Sequence, residues 1–559
     1  MARAAAPQVG MLERRWEDPA AELPLALREP ACYPHPVGEV ELVETHISWV
    51  FLTGEIAYKV KKPVNLGFLD FSTLERRRYF CEEELRLNRR LAADLYLGVV
   101  PITGSARQPR MGGAGEPIDY AVKMRQFPQE ALLDRQVVQG QVSAQLIDSL
   151  AAQVAAFHAT IAVAEPASGF GKPSALLDGM AQDFSQLKAL LPAGAEAQAV
   201  DALEQWSRRE HAARSALFAA RLRGGFVREC HGDLHLANMV LLDNRVCIFD
   251  GIDFNPRLRW LDVIDEIAFL VMDLEHRGRS DLAYRFLNAY LELSGDYEGV
   301  QVLRFYLVHR ALVRAKVAAI RAHQPEAPHR AGQQARAQFK KYLRLAERYA
   351  APQQPVLAIT HGLSGSGKTT AAQTIVESAG AIRVRSDVER KRLQGLAASA
   401  RSGSTLGAGL YAEVHTRATY QRLARCARAI VAGGWPVIAD ATFLRRSQRA
   451  KLRALADKLS VPFRIADFRA DAATLRARVE QRGDRGGDAS EATLAVLEHQ
   501  QASQEPLDAE ELQHAVVFDT SRMSIREIAA AGARLLRPRA ASAATASTST
   551  AVTARSQLP

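Results

Sequence analysis

"HGLSGSGKTT", residues 361–370, decides how the second half of this chain folds. Gly362, Gly367, Lys368 and Thr369 fit the spacing G-x-x-x-x-G-K-[ST], in which glycines let backbone N–H groups wrap a phosphate at a helix N-terminus. An apolar strand, "VLAIT" (356–360), leads in, and a helical stretch, "TTAAQTIVESAG" (369–380), leads out. That context separates a phosphate loop from a chance Gly/Ser turn. The residues expected around the nucleotide phosphates are therefore Gly362, Leu363, Ser364, Gly365, Ser366, Gly367, Lys368, Thr369 and Thr370. Lys368 is expected to reach the β and γ phosphates of ATP, and the Thr369 hydroxyl to serve Mg2+.

Outward from the loop, short apolar strands alternate with amphipathic helical segments. The strands are "AIRVR" (381–385), "WPVIAD" (435–440), "VPFRIADF" (461–468) and "AVVFD" (515–519). This rhythm predicts a parallel sheet covered by helices, with ligands at the carboxyl ends of the strands. Asp387 and Arg390 in "RSDVER" fall at such an end, and Asp387 is a candidate base for an acceptor hydroxyl. Asp440, closing its strand, is a candidate metal ligand beside Thr369. Arg476, Arg478, Arg482 and Arg485 surround a Gly-rich break and read as a mobile lid, with Arg478 and Arg482 as candidates to meet the transferring phosphoryl group. No NKxD or LSGGQ is present, and Ala441 rather than Glu follows Asp440, so a small kinase fits better than a motor.

"GLSGSGKTT", "SDVER", "ADATF" and the lid together resemble the P-loop kinases that include polynucleotide kinase, gluconate kinase and zeta-toxin-like enzymes. The resemblance implies that Asp387 and Arg390 are the base and an acceptor ligand. It matches Asp440 and Thr442 to an Asp-Thr pair after the third strand, with Phe443 standing where polynucleotide kinase has Asn.

The first half carries a different pattern. In "HGDLHLANMV" (231–240) Asp233 and Asn238 lie five residues apart, and "RVCIFD" (245–250) follows as a strand ending in Asp250. Phosphoryl transfer needs a base for the acceptor hydroxyl and oxygen ligands for Mg2+; the spacing offers Asp233 for the first and Asn238 with Asp250 for the second, with Asp253 as a rival. This stretch resembles the aminoglycoside phosphotransferase and protein kinase-like fold. The resemblance implies that Lys59 in "IAYK" binds ATP phosphates, that Glu84 (or Glu83) in "CEEELRLNRRL" is its helix partner, and that "KMRQF" (123–127) is the hinge beside adenine. The small lobe has no G-x-G-x-x-G; "ETHIS" (44–48) occupies that turn, with Ser48 and backbone amides as substitutes. His231 and His235 read as structural.

The 559 residues, at about 150 per domain, suggest three to four units. The expected divisions are a sheet-rich lobe over 1–130, a helical lobe over 131–350, a P-loop domain over 351–539 after "APQQP" (351–355), and a disordered Ala/Ser/Thr tail over 540–559. The fold class expected is thus an α+β two-lobed kinase-like domain fused to an α/β P-loop kinase domain with a parallel sheet. Hydrophobic content of 48% and charged content of 24% are those of globular protein. Five scattered cysteines without a CxxC pair suit reduced thiols, and no apolar run reaches the ~18 residues of a membrane helix, so a soluble cytoplasmic protein is expected. The net charge of +10, from 72 Lys and Arg against 62 Asp and Glu, favours anionic ligands. No basic block is interleaved with aromatics, which disfavours nucleic acid; the partners expected are small-molecule hydroxyl acceptors. Both halves together resemble bacterial proteins described as bifunctional aminoglycoside phosphotransferase and ATP-binding (AAA family ATPase) proteins. Two functions remain in view: two kinases in one chain, or one kinase with a nucleotide-binding regulatory half.

Overall fold

The computed structural model describes residues 19–67, 69–323, 329–398, 400, 409–485 and 492–537. The chain divides into two compact units, residues 1–352 together with 395–398, and residues 353–394 together with 399–559. The expected tail over 540–559 lies outside the described residues.

In the first unit, β1 (Glu41–Glu44), β2 (Ser48–Leu52), β3 (Ile56–Lys61), β4 (Tyr96–Ser105), β5 (Gln108–Met111) and β6 (Pro117–Arg125) form an antiparallel sheet in the order β1-β2-β3-β6-β4-β5. Alternation along β3 decides what the sheet carries. Tyr58 and Val60 enter one core with Phe51 and Ile102, whereas Ala57 enters another with Cys81 and Tyr96. Lys59 and Lys61 share the strand face of Ala57. Helix α1 (Leu74–Ala92), capped by the Thr73 hydroxyl, packs on β4 and β6. Its buried stripe runs Arg77, Cys81, Glu84, Asn88, the i, i+4, i+7, i+11 face of a helix. Three of those four are polar, so this face brings charge rather than oil into the interior.

The chain then turns helical: α2 (Ala144–Thr160), α3 (Pro173–Ala189), α4 (Ala195–Arg223), α5 (Val263–His276), α6 (Ser280–Ser294), α7 (Val300–Ala322) and α8 (His329–Ala350). Every residue of α5 is buried, which suits its place against both α6 and α7. Short strands interrupt the helices where the sequence breaks: β7 (Val227–Glu229) pairs with β10 (Trp260–Asp262), and β8 (Met239–Leu242) with β9 (Arg245–Ile248). Asp243 and Asn244 close the β8–β9 hairpin with φ of 49° and 59°, the paired left-handed residues of a tight hairpin turn.

The second unit is a parallel sheet in the order β12-β13-β11-β14-β15, comprising β11 (Leu357–His361), β12 (Ile382–Arg385), β13 (Val437–Asp440), β14 (Phe463–Arg469) and β15 (Ala515–Asp519). The expected strands form where the apolar runs fall. Helices α9 (Lys368–Ala379), α10 (Ser386–Arg392), α11 (Glu413–Ala432), α12 (Arg446–Lys458), α13 (Ala472–Arg485), α14 (Leu494–Ser503) and α15 (Ile525–Leu535) connect and cover it. β11 is buried along its whole length, the pattern of a central parallel strand. Strand order reverses beside β11, and the crevice at that switch point opens above the phosphate loop. Among the described residues no helix is long and apolar enough to cross a membrane.

Candidate functional site

Two constellations form, one in each unit. In the first, β3, α1 and the segment after β9 converge. Lys59 Nζ lies 2.8 Å from Glu84 Oε1 and 2.5 Å from Asp250 Oδ1. Lys61, not singled out by the sequence reading, lies 2.8 Å from Glu84 Oε2 and 2.5 Å from Asp253 Oδ2. The signal was present: in "KVK" (59–61) two lysines two residues apart share one strand face. Glu84 therefore bridges two lysines, while Glu83 turns to Arg86 and Arg259. Burial pushes the Glu84 carboxyl up, but Lys59 and Lys61 outweigh it and hold it below the usual range. Burial likewise works against charge on Lys59 and is overcome by Asp250 and Glu84, so the lysine stays charged.

The loop at 231–240 is fixed from beneath. The His231 and Gly232 N–H groups donate to Glu266 on α5, and the His231 ring bonds the Phe249 carbonyl at 2.9 Å. Burial pushes Glu266 up to about 7 and His231 down to about 4, so His231 is a neutral framework residue. Asn238 Nδ2 donates to Asp233 Oδ2 at 2.8 Å, and Phe249 N donates to the Asn238 carbonyl at 2.9 Å, drawing the Asn238 and Asp250 segments together. Asp250 adopts a φ of 61°, backbone strain of the kind that concentrates at functional sites. The Asp233 side chain is 34% exposed, and His235 Nε2 lies 3.3 Å from it. Burial pushes Asp233 up, yet His235 and Arg314 outweigh this and keep it ionised. Ser48 is fully buried and the Thr45 side chain closes its turn, so Ser48 does not stand open as a substitute for a Gly-rich loop.

In the second unit a cavity of about 280 Å³ is lined by Lys368, Thr369, Asp387, Arg390 and Asp440, along with Ser364, Gly365, Gly367 and Thr370. The loop's glycines are required by geometry. Gly362 has φ of 137° and any Cβ there would lie 2.3 Å from the Phe468 carbonyl; Gly367 has φ of 75° at the start of α9. Lys368 Nζ donates to the Gly362 and Leu363 carbonyls at 2.9 and 2.7 Å. Asp440 is steadied by Thr360 Oγ1 at 3.3 Å, which also accepts from Ala441 N at 3.0 Å. Asp387 sits in the first turn of α10, and Arg390 donates to the Leu410 carbonyl and Thr416 Oγ1 at 3.2 and 3.1 Å. Arg385 and Tyr420 line the same cavity and were not singled out by the sequence.

Arg478 lies against the phosphate loop. Its guanidinium donates to Thr520 Oγ1 and the Thr520 carbonyl at 2.8 and 3.0 Å and to the Gly365 carbonyl at 3.4 Å. It buttresses the back of the phosphate loop and is not among the residues around the cavity, because α13 is anchored there by Leu475 and Val479 against Leu497. Arg476 pairs with Glu498 at 3.3 Å on the exposed surface. Arg482 lies on α13, and its side chain falls outside the described residues.

Residues 75–305 match the phosphotransferase enzyme family and residues 357–507 match an AAA domain family. Uncharacterized protein Rv2004c of Mycobacterium tuberculosis (strain ATCC 25618 / H37Rv) is 32% identical over 479 residues, which are 84% of this chain and 92% of that protein. Uncharacterized protein Mb2027c of Mycobacterium bovis is similar to the same extent, 32% over 479 residues, with the same 84% and 92% covered. Among solved structures, a gluconokinase from Sinorhizobium meliloti 1021 is 21% identical over 33% of this chain and 95% of its own, with a TM-score of 0.24. A Plasmodium vivax ethanolamine kinase is 10% identical over 54% of this chain and 81% of its own, with a TM-score of 0.34.

Proposed function

The chain belongs to the family of these mycobacterial proteins and is a phosphotransferase; from that premise we propose that it is a two-site kinase, each half binding Mg-ATP and passing its γ-phosphoryl group to a small hydroxyl acceptor. The observation that carries this reading is the meeting of Lys59, Glu84 and Asp250 across 191 residues of chain, paired with a second, independent set around Lys368.

In the first half, Lys59 releases Asp250 and turns to the donor's phosphates, while Glu84 keeps the ammonium aimed. Asn238 and Asp250 offer oxygen donors, a hard set suited to Mg2+, as do Thr369 and Asp440 in the second half. When bound, the ion neutralises charge on the phosphates. Asp233 takes the acceptor's hydroxyl proton; the acceptor oxygen bonds to the γ-phosphorus as the bond to the bridging oxygen breaks, and ADP leaves. Asp387 plays the same part in the second half, and Arg390 steadies the acceptor. Single-turnover transfer from γ-labelled ATP tests the assignment: Asp233→Asn or Asp387→Asn is expected to stop transfer in its own half while nucleotide still binds. Unchanged transfer in either variant rejects that base.

A further inference from the structure

Within the first unit, a cavity of about 790 Å³ opens between the end of α5, the second half of α7 and α8. Its volume is in the range of small-ligand sites. Arg277, Arg314, Arg321 and Lys341 line it, joined by the amides of Gln334 and Gln338, and no carboxylate is among its lining residues. His276 is 6% exposed and stacks on Tyr342 with ring centroids 3.7 Å apart. Its Nε2 bonds Gln338 Oε1 at 2.7 Å, while its Nδ1 is buried with no protein partner.

The cavity connects to the candidate base. Arg314 Nη1 lies 3.4 Å from His235 Nε2, which in turn lies 3.3 Å from Asp233 Oδ2. One helical turn earlier on α7, Arg310 donates to the Gly232 carbonyl at 3.3 Å and pairs with Asp265 at 2.7 Å, fixing this helix against the loop that holds Asp233. Arg314 and His235 thus stand between the cavity and Asp233, whose carboxylate is 34% exposed.

We propose that this cavity holds the acceptor of the first half and that the acceptor is a hydroxyl compound bearing an anionic group, a phosphate or a carboxylate. The inference rests on the phosphotransferase reading and gives it a substrate class. Arg277 is paired with Asp134 and Asp273 at 3.4 Å, which leaves Arg314, Arg321 and Lys341 to face a ligand, and a polycationic acceptor such as an aminoglycoside meets like charge there. Arg321 and Lys341 grip the anion. With its anion in the cavity, the acceptor extends past Arg314 and His235 so that its reacting hydroxyl meets Asp233; the proton passes to Asp233, the oxygen bonds to the γ-phosphorus of ATP, the bridging bond breaks and ADP departs.

Two readouts on the full-length chain test this. In the first, transfer from γ-labelled ATP is followed into a sugar phosphate, a sugar carboxylate, a neutral sugar and an aminoglycoside. The anionic acceptors are expected to be labelled, and the Arg321→Glu/Lys341→Glu double variant to raise their KM by about tenfold or more with little change in kcat. Both positions are exposed, and Gln334→Glu, which adds a carboxylate while keeping the side-chain stem, is expected to act in the same direction. Which of the first two compounds is preferred distinguishes phosphate from carboxylate. In the second readout, the sugar phosphate and the sugar carboxylate are each titrated calorimetrically into ADP-saturated protein, with binding expected in the wild type and lost on charge reversal. Labelling of the aminoglycoside in preference to the anions, a KM indifferent to charge reversal, or no binding of either anion by the wild type overturns the proposal. Anion binding that charge reversal removes, without transfer to any acceptor, supports the cavity's charge selection and instead rejects the kinase reading on which it rests.

Discussion

The two constellations are built in opposite ways. In the first unit, Lys59, Glu84 and Asp250 come from a strand, a helix and a loop, the outer two 191 residues apart, and charge holds them together. In the second, the consecutive residues from Gly362 to Thr370 make the phosphate loop, and backbone shape holds it: Gly362, Gly365 and Gly367 all have positive φ. Removing one partner from a buried charge network leaves the others desolvated and uncompensated. A backbone loop tolerates changes in its side chains and fails where a Cβ is added. The first site is therefore exposed to loss of charge, the second to gain of bulk.

The largest expected effect lies in transfer rather than folding. Asp233→Asn is expected to slow first-half transfer by about 10² to 10⁴-fold with ATP affinity nearly unchanged, measured by single-turnover labelling beside calorimetry. A parallel loss of ATP binding would move Asp233 from acceptor to nucleotide. Next, Glu84→Ala leaves Lys59 and Lys61 in the interior with one carboxylate each, Asp250 and Asp253, and is expected to cost the first unit about 3 kcal/mol, read by urea denaturation. A cost near that of a surface ion pair would erase the contrast. In the second unit, Gly362→Ala forces both a disallowed φ and a clash with the Phe468 carbonyl. It is expected to cost roughly 3 kcal/mol and to weaken nucleotide binding, with the first unit's transition unmoved.

The smallest effect is in pH. Glu266 is raised by burial from an ordinary 4.5 to about 7, so between those values the folded chain keeps a proton that the unfolded chain releases, and its contribution to stability falls as pH rises. His158 and His231, pushed by burial down to about 3 and about 4, tilt stability the other way below their ordinary 6.5. The difference between wild type and Glu266→Gln isolates the glutamate: the wild type is expected to lose roughly 2 kcal/mol relative to the variant from pH ~5.5 to ~7. A pH-independent difference would mean that Glu266 is ionised in the fold throughout.

The second unit was the more legible in sequence because its determinants are local. A strand, a loop and a helix announce themselves within 25 residues, and each apolar run from 356 to 519 became one strand of the parallel sheet. The change in the first half from a sheet-rich to a helical lobe was readable as well. What escaped was tertiary. Lys61 lies beside Lys59 in the chain, but its pairing with Asp253 across 192 residues depends on how the two lobes of the unit close. Arg314 looked like one more basic residue on a long helix until α7 brought it to His235. The partners of Arg478 were equally hidden: the apolar residues flanking it, Leu475 and Val479, pin the helix to Leu497. The residue types were visible, and the partners that assign their roles were not.

Counting nucleotide sites tests the two-site account most directly. Calorimetric titration of the intact chain with a non-hydrolysable ATP analogue and Mg2+ is expected to give two sites per chain. Lys59→Met and Lys368→Ala are each expected to leave one, and the double variant none. A single site in the wild type, or one substitution that removes both, would contradict the presence of two independent kinase centres.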